Sequence, residues 1–287
     1  MHGSLSPSVQ SNRIGRFGPA IRQMLPVVPA CAFLIVFFGI PIAAVLVPTL
    51  GNWSSGPYAH LVSESIYIAI IWRTIVIAAA VTAICLVICY PTAYALAMAG
   101  RFWRTIGFIA VMIPLWTSVV VRNYAWMVIL GRNGILNRSL IATGIIEQPI
   151  TLLNTQVAVI IGMVHVMIPF MILPIYAAIE KFHRDLPLAA CGLGAGPFRI
   201  FREVYLPLTM RGILAGSTLV FVTCLGFYIT PALLGGGKVT MIAMVIEQQV
   251  RTFLDWKLAG ALSAVLLLAT LLVIGIPNAI AARKMRV

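Results

Sequence analysis

Seven carboxylates, four histidines and five cysteines are the residues through which this chain could do chemistry. The histidines, His2, His60, His165 and His183, are scattered and show neither HxxE nor HExxH spacing, so no metal-hydrolase pattern is present. Cys85 and Cys89 stand four apart and would share a helix face, but no His or carboxylate lies near them in sequence, which points to small packing residues. Cys31, Cys191 and Cys224 complete a set without CxxC spacing, so no disulfide framework is implied. Two glycine-rich runs look like phosphate cradles. Gly235-Gly236-Gly237-Lys238 lacks the first Gly of a phosphate-binding loop, since 232 is Ala, and Val239 replaces the Ser or Thr. GLGAGP at Gly192–Pro197 follows no strand and so fails as a dinucleotide fingerprint. The chain carries no nucleotide site and no catalytic constellation of its own, and any ATP coupling must come from a partner.

Ion- or proton-coupled transport is the competing class, because it places ionisable groups at mid-membrane depth. Glu64, Glu147, Glu180, Asp185, Glu203, Glu247 and Asp255 all fall in loops or at the ends of apolar runs. His165 lies inside an apolar run and is the one candidate relay, although a lone His there more often bonds a neighbouring helix. Energy supplied from outside the chain fits this pattern better than a self-contained secondary transporter.

The elements that must position these groups are membrane helices. The chain is 61% hydrophobic and 9% charged, against about 25% charged in ordinary globular chains. Its mean hydropathy is +1.03. In a bilayer every backbone group must bond internally, so helices are expected. Apolar runs predict spans at 25–50, 74–98, 105–130, 151–179, 208–234 and 258–280. The first is too long for a signal-peptide core and reads as an uncleaved helix behind a polar tail, 1–24, with a second tail at 282–287 and one transmembrane domain, 25–281, between them. Pro91, Pro169 and Pro174 are candidate kinks, Gly212 and Gly216 give small-xxx-small spacing, and the loop after Gly131 predicts an interfacial amphipathic helix. Trp53 and Tyr58 suit aromatic anchors at one face.

The net charge of +13 marks orientation rather than nucleic-acid binding, because no soluble basic segment interleaves with aromatics. Thirteen of the twenty Lys and Arg fall on the face that holds both termini and the loops after spans two and four: Arg13, Arg16, Arg22, Arg101, Arg104, Lys181, Arg184, Arg199, Arg202, Arg211, Arg283, Lys284 and Arg286. The positive-inside tendency makes that face cytoplasmic.

On that face the loop 181–207 contains DLPLAACGLGAGPFRIFREVYLP, from Asp185 to Pro207. The pattern predicts a short helix, a break at Gly192, Gly194 and Gly196, and a second short helix started by Pro197 that ends at the membrane. Leu188-Ala189-Ala190, Gly194 and Val204-x-Leu206-Pro207 have the spacing of the E-A-A, three residues, G, nine residues, I-x-L-P loop of ABC importer permeases, which the chain therefore resembles. Leu188 stands where that family usually carries Glu, and Asp185 is the nearby carboxylate. Val121 to Trp126 with Leu130 to Gly134, Gly162 to His165 and Leu225 to Gly236 are similar to runs in permeases of the spermidine/putrescine type.

The resemblance implies an all-α, six-span type I importer permease in the bacterial inner membrane, with a cytoplasmic coupling helix. Its implied partners are a second, homologous permease, two ATPase subunits carrying ATP and Mg, and a periplasmic or extracellular solute-binding protein. Asp185, Leu188, Ala189, Ala190, Gly194, Leu206 and Pro207 would meet the ATPase. For the substrate path the sequence suggests Asn123, Tyr124, Trp126, Tyr228 and Glu247, whose rings and carboxylate suit an organic cation. Interfacial anchoring explains the same aromatics equally well.

Overall fold

The computed structural model describes residues 27–50, 56–181 and 185–284. The amino-terminal basic tail, Trp53, His183, Arg184 and Arg286 lie outside these residues, as does the side chain of Asp185. The described residues are helical, with no strand among them.

In chain order, α1 is Val27–Leu46, α2 Pro57–Ser63 and α3 Ser65–Met98, followed by α4 Arg101–Trp116, α5 Val119–Leu130 and α6 Ile135–Ala142. Then come α7 Gln156–Lys181, α8 Asp185–Gly192, α9 Pro197–Ile200, α10 Leu206–Leu225, α11 Ile229–Leu234, α12 Ile242–Gln248 and α13 Trp256–Lys284. Among the described residues, five helices are long and apolar enough to cross a membrane. A sixth crossing arises if α4 and the segment beginning at α5 form one span bent by 100°.

Several expected boundaries change. The second span starts at Ser65 rather than 74, because Ser65–Arg73 continues the apolar helix outward. The third, read as one helix over 105–130, breaks at Thr117 and Ser118, which adopt extended backbone. There Thr117 Oγ1 bonds back to the Pro114 carbonyl at 3.2 Å. The fifth, read as 208–234, ends at Leu225, and α11 begins after the break at 226–228. The second helix of the 181–207 loop, expected to end where the span begins, does not end there. It runs through a π-helical turn, Phe201–Tyr205, straight into α10.

The core is a three-helix packing of α3, α7 and α10. Lipid tails are as apolar as Leu, so close van der Waals fit rather than water exclusion holds such helices together. Cys85 and Cys89 are fully buried, and their thiols face the Val164 and Ile168 carbonyls of α7 at 3.8 and 3.7 Å. Met163, Met167 and Met171 form a buried row along α7. On α10, a Cβ at Gly212 would fall 2.5 Å from Ala178 Cβ and 2.6 Å from the Pro174 carbonyl, and one at Gly216 would fall 3.0 Å from Met171 Sδ. The small-residue spacing is the contact itself.

Candidate functional site

The loop over 181–207 is built on a helix closed by glycine. α8 ends in a Schellman motif: the Gly194 N–H donates to the Cys191 carbonyl at 2.9 Å and the Ala195 N–H to Ala190 at 3.0 Å. That closure needs a left-handed residue, and Gly194 has φ +80°. Gly192 is helical and Gly196 has φ −70°, so of the three expected breaks Gly194 alone takes the left-handed conformation. A Cβ at Gly194 would meet nothing within 4 Å, so its requirement is conformational. Leu188 and Ala189 are exposed and Ala190 is half-buried, with Leu193 (90%) and Phe198 (74%) standing out beside them. An apolar, small-residue surface therefore faces away from the bundle.

The other half of the loop is bolted to α3. Phe201 meets Tyr90 edge to face, with ring centroids 5.5 Å apart, and Tyr205 meets Tyr94 at 5.0 Å. The Tyr90 hydroxyl lies 3.1 Å from Thr209 Oγ1, so these contacts to α3 lie on both sides of Leu206 and Pro207 in sequence. Sequence reasoning missed these aromatics, although Tyr90/Tyr94 and Phe201/Tyr205 are both i, i+4 pairs that mark one helix face each. On the far side, Arg104 at the start of α4 pairs with Glu180 at the end of α7 (3.7 Å), and the Tyr176 hydroxyl donates to the same carboxylate at 3.0 Å.

A second polar place forms where the two broken spans meet. α5 and α11 pack on each other and both lie on α7. The contact closes over Gly162, where a Cβ would strike Leu234 Cδ1, lie 2.8 Å from Thr230 Cγ2 and 3.6 Å from Asn123 Oδ1. One turn along α7, His165 Nδ1 accepts the Trp126 indole N–H at 3.1 Å, which resolves His165 as a helix-bonding residue. Asn123 is 1% exposed and Thr230 fully buried, and neither side chain has a hydrogen-bond partner. Nε and Nη1 of Arg122 are enclosed and equally unpartnered.

Of the residues suggested for a path, the structure brings Asn123 and Trp126 against α7. Tyr124 is 56% exposed, Tyr228 caps α11 at 38%, and Glu247 pairs with Arg251 at 3.3 Å. Among the described residues no hydrogen bond, ion pair or ring contact links these three to Asn123 or Trp126.

A buried asparagine and a buried threonine hold two neighbouring segments in place. Asn137 donates to the Gly131 and Ile150 carbonyls (3.1 and 2.9 Å) and accepts the Ile150 N–H (2.9 Å), stapling the α6 loop, the expected amphipathic segment. Thr74 Oγ1 accepts the Ile242 N–H at 3.0 Å, holding α12 on α3. The Gly235–Gly237 run is a turn, with Gly236 (φ +53°) pressed against the Asn154 side chain, so its glycines serve the backbone rather than a phosphate. No group of three or more metal-ligating side chains occurs among the described residues.

Residues 90–287 match the family described as "Binding-protein-dependent transport system inner membrane component". The chain is 38% identical over 250 residues to the spermidine/putrescine transport system permease protein PotB of Haemophilus influenzae, covering 84% of this chain and 87% of that one. With the PotB of Escherichia coli it shares 36% identity over 203 residues, 71% and 74% of the two chains. The fold is similar to a chain in the crystal structure of a bacterial ABC transporter that imports the acidic polysaccharide alginate, with TM-score 0.68 at 17% identity over 94% of this chain and 99% of that one. It also matches a chain of a bacterial alginate ABC transporter in complex with its alginate pentasaccharide-bound periplasmic protein, at TM-score 0.71, 15% identity and 94% and 98% coverage.

Proposed function

This chain belongs to the binding-protein-dependent transport system inner membrane components, the permease subunits of ABC importers, and we propose that it moves spermidine, putrescine or a related small organic solute by alternating access. It works beside a second, homologous permease, on two ATPase subunits that hold ATP and Mg, and receives solute from a periplasmic or extracellular binding protein. The chain itself holds no cofactor. Both termini and α8 face the cytoplasm.

The observation that carries the coupling half of this reading is the exposed α8 with its Gly194 closure, set between the end of α7 and a second helix continuous with α10. Asp185, Leu188, Ala189, Ala190 and Gly194 form the surface that docks on the ATPase. Leu206 and Pro207 join that surface to the span. A push on α9 reaches α10 along a continuous helix and, through Tyr90 and Tyr94, α3, while α8 joins it through the Gly194 turn. Asp185 supplies the carboxylate that Leu188 lacks. For the solute, the rings of Tyr124, Trp126 and Tyr228 offer cation–π faces and Glu247 a carboxylate near the outer mouth, with Asn123 behind them. The names of the PotB relatives support a polyamine.

The test is purification of the tagged chain from its native membrane in mild detergent, then reconstitution with whatever soluble ATPase comes with it. ATP-dependent uptake of labelled putrescine or spermidine is expected. Gly194→Trp should insert and assemble yet separate ATP hydrolysis from uptake; wild-type uptake in that variant sinks the coupling assignment. A chain that comes out alone and moves solute on a proton gradient without ATP sinks the whole reading.

A further inference from the structure

Between α9 and α10 the chain stays helical but leaves the α register. The Leu206 N–H reaches back five residues to the Phe201 carbonyl, so Phe201–Tyr205 is a π-turn that holds one residue more than an α-turn. Pro207 supplies the cause. It has no N–H, and in an α register its ring would press on the Glu203 carbonyl four residues back. In the π register the carbonyl it leaves unanswered is that of Arg202. One bond is lost at Pro207 in either register, so the α form lacks part of its usual advantage over the π form.

The two ends of this turn are held unequally. Tyr205 is 7% exposed and edge to face with Tyr94, and its carbonyl accepts the Thr209 hydroxyl at 2.7 Å. With the Thr209 proton committed there, the Tyr90 hydroxyl is the donor in its 3.1 Å contact with Thr209 Oγ1. Phe201 is 38% exposed and rests on Tyr90 by ring contact. Ahead of it, Arg199 Nε pairs with Glu203 Oε2 at 3.0 Å, and α8 packs on both α9 and the π-turn, which ties α8 and α9 to the first half of the turn. Arg202, Glu203 and Pro207 are exposed, so no packed core opposes movement on that side.

We propose that Phe201–Tyr205 is a register hinge. Tyr205 on Tyr94 is its fixed point, and the contact of Phe201 with Tyr90 is the catch that holds the π form. Passing to the α register shifts the sequence by one residue, which turns α9 and α8 by about 100° around the α10 axis and moves them by about 1.5 Å along it. Phe201 then leaves Tyr90, while α10 keeps its packing on α3 and α7. The use of this hinge in coupling rests on the importer reading above: movement of α8 on its ATPase is carried as a turn of the helix as well as a push along it.

The experiment measures the distance between spin labels placed at Leu193 and Met98, both exposed, in the transporter purified with its partner subunits in nanodiscs. The exposed Cys31 and Cys191 are replaced by Ser. Pro207→Ala restores the missing N–H and Phe201→Ala removes the catch; both residues are exposed, so neither change opens the core. Wild type is expected to change distance by about 5 Å or more when ATP is trapped with vanadate. Both variants should keep one of those two distances in either condition. Variants that switch as wild type does, or one shared distance throughout in a complex that hydrolyses ATP, overturn the hinge. A complex that comes without an ATPase counts against the importer reading, and the nucleotide-free distances then decide alone: variants displaced from wild type support the hinge, and variants matching it overturn it.

Discussion

The Trp126 indole donates to His165 Nδ1 across 3.1 Å, joining the outer half of a broken span to the continuous helix α7. The rings meet nearly edge to face, with centroids 5.8 Å apart. Trp126→Phe removes the donor and keeps most of the ring. Hydrogen bonds between membrane helices average about 0.6 kcal/mol and reach about 1.7, so a loss near 1 kcal/mol is expected. Equilibrium unfolding in mixed micelles measures it, and an unchanged stability shows that the bond does not hold α5.

Gly212 has no room for a side chain. Its Cβ would fall 2.5 Å from that of Ala178, and α7 backbone lies behind. Gly212→Leu should lower stability by about 3 kcal/mol or more and reduce the folded yield. Gly39→Leu is the matched control, because nothing lies within 4 Å of its Cβ position. Equal yields for the two variants would deny the close α7–α10 contact.

Asn137 makes three hydrogen bonds from a side chain that is 1% exposed. Asn137→Ala leaves the Ile150 N–H and two carbonyls unanswered, at a cost of about 2–3 kcal/mol. Hydrogen exchange should rise first at Ile150 and in α6, ahead of the α3–α7–α10 core. Protection there equal to wild type would show that the loop is held by something else.

Gly194 and Gly192 separate conformation from space. Neither would meet an atom within 4 Å on gaining a Cβ, but only Gly194 has positive φ. Gly194→Ala should cost about 1 kcal/mol in local stability of α8, and Gly192→Ala should gain a few tenths by favouring helix. Protease nicking within 185–196 reads both. Equal nicking of the two variants would refute the left-handed cap.

The loop was legible from sequence because its signals are local. A Gly four residues beyond the small pair, Pro197 at a helix start and flanking Arg and Lys each act over a few residues, and α8, the Gly194 turn and α9 follow from them. The path residues were legible only in part. Asn123, Tyr124 and Trp126 are neighbours in sequence, but a helix sends them to different faces. Burial against α7 then claims Asn123 and half of Trp126 and leaves Tyr124 outside.

By itself the sequence determined that the chain is a bundle of membrane helices, roughly where those helices run, and that its loop over 181–207 has a small-residue, glycine-closed design. Hydropathy and turn chemistry are sums over neighbours, and neighbours are what a sequence displays. Tertiary structure decided the breaks at Thr117–Ser118 and at 226–228, the clasp of Tyr90 and Tyr94 on Phe201 and Tyr205, and the closing of Asn123, Thr230 and Leu234 over Gly162. In a bilayer an apolar run carries little amphipathic period to show which face packs, and it reads the same whether the helix is straight or bent. Contacts between residues more than a hundred positions apart, such as Tyr90 and Thr209, exist only once the helices have packed.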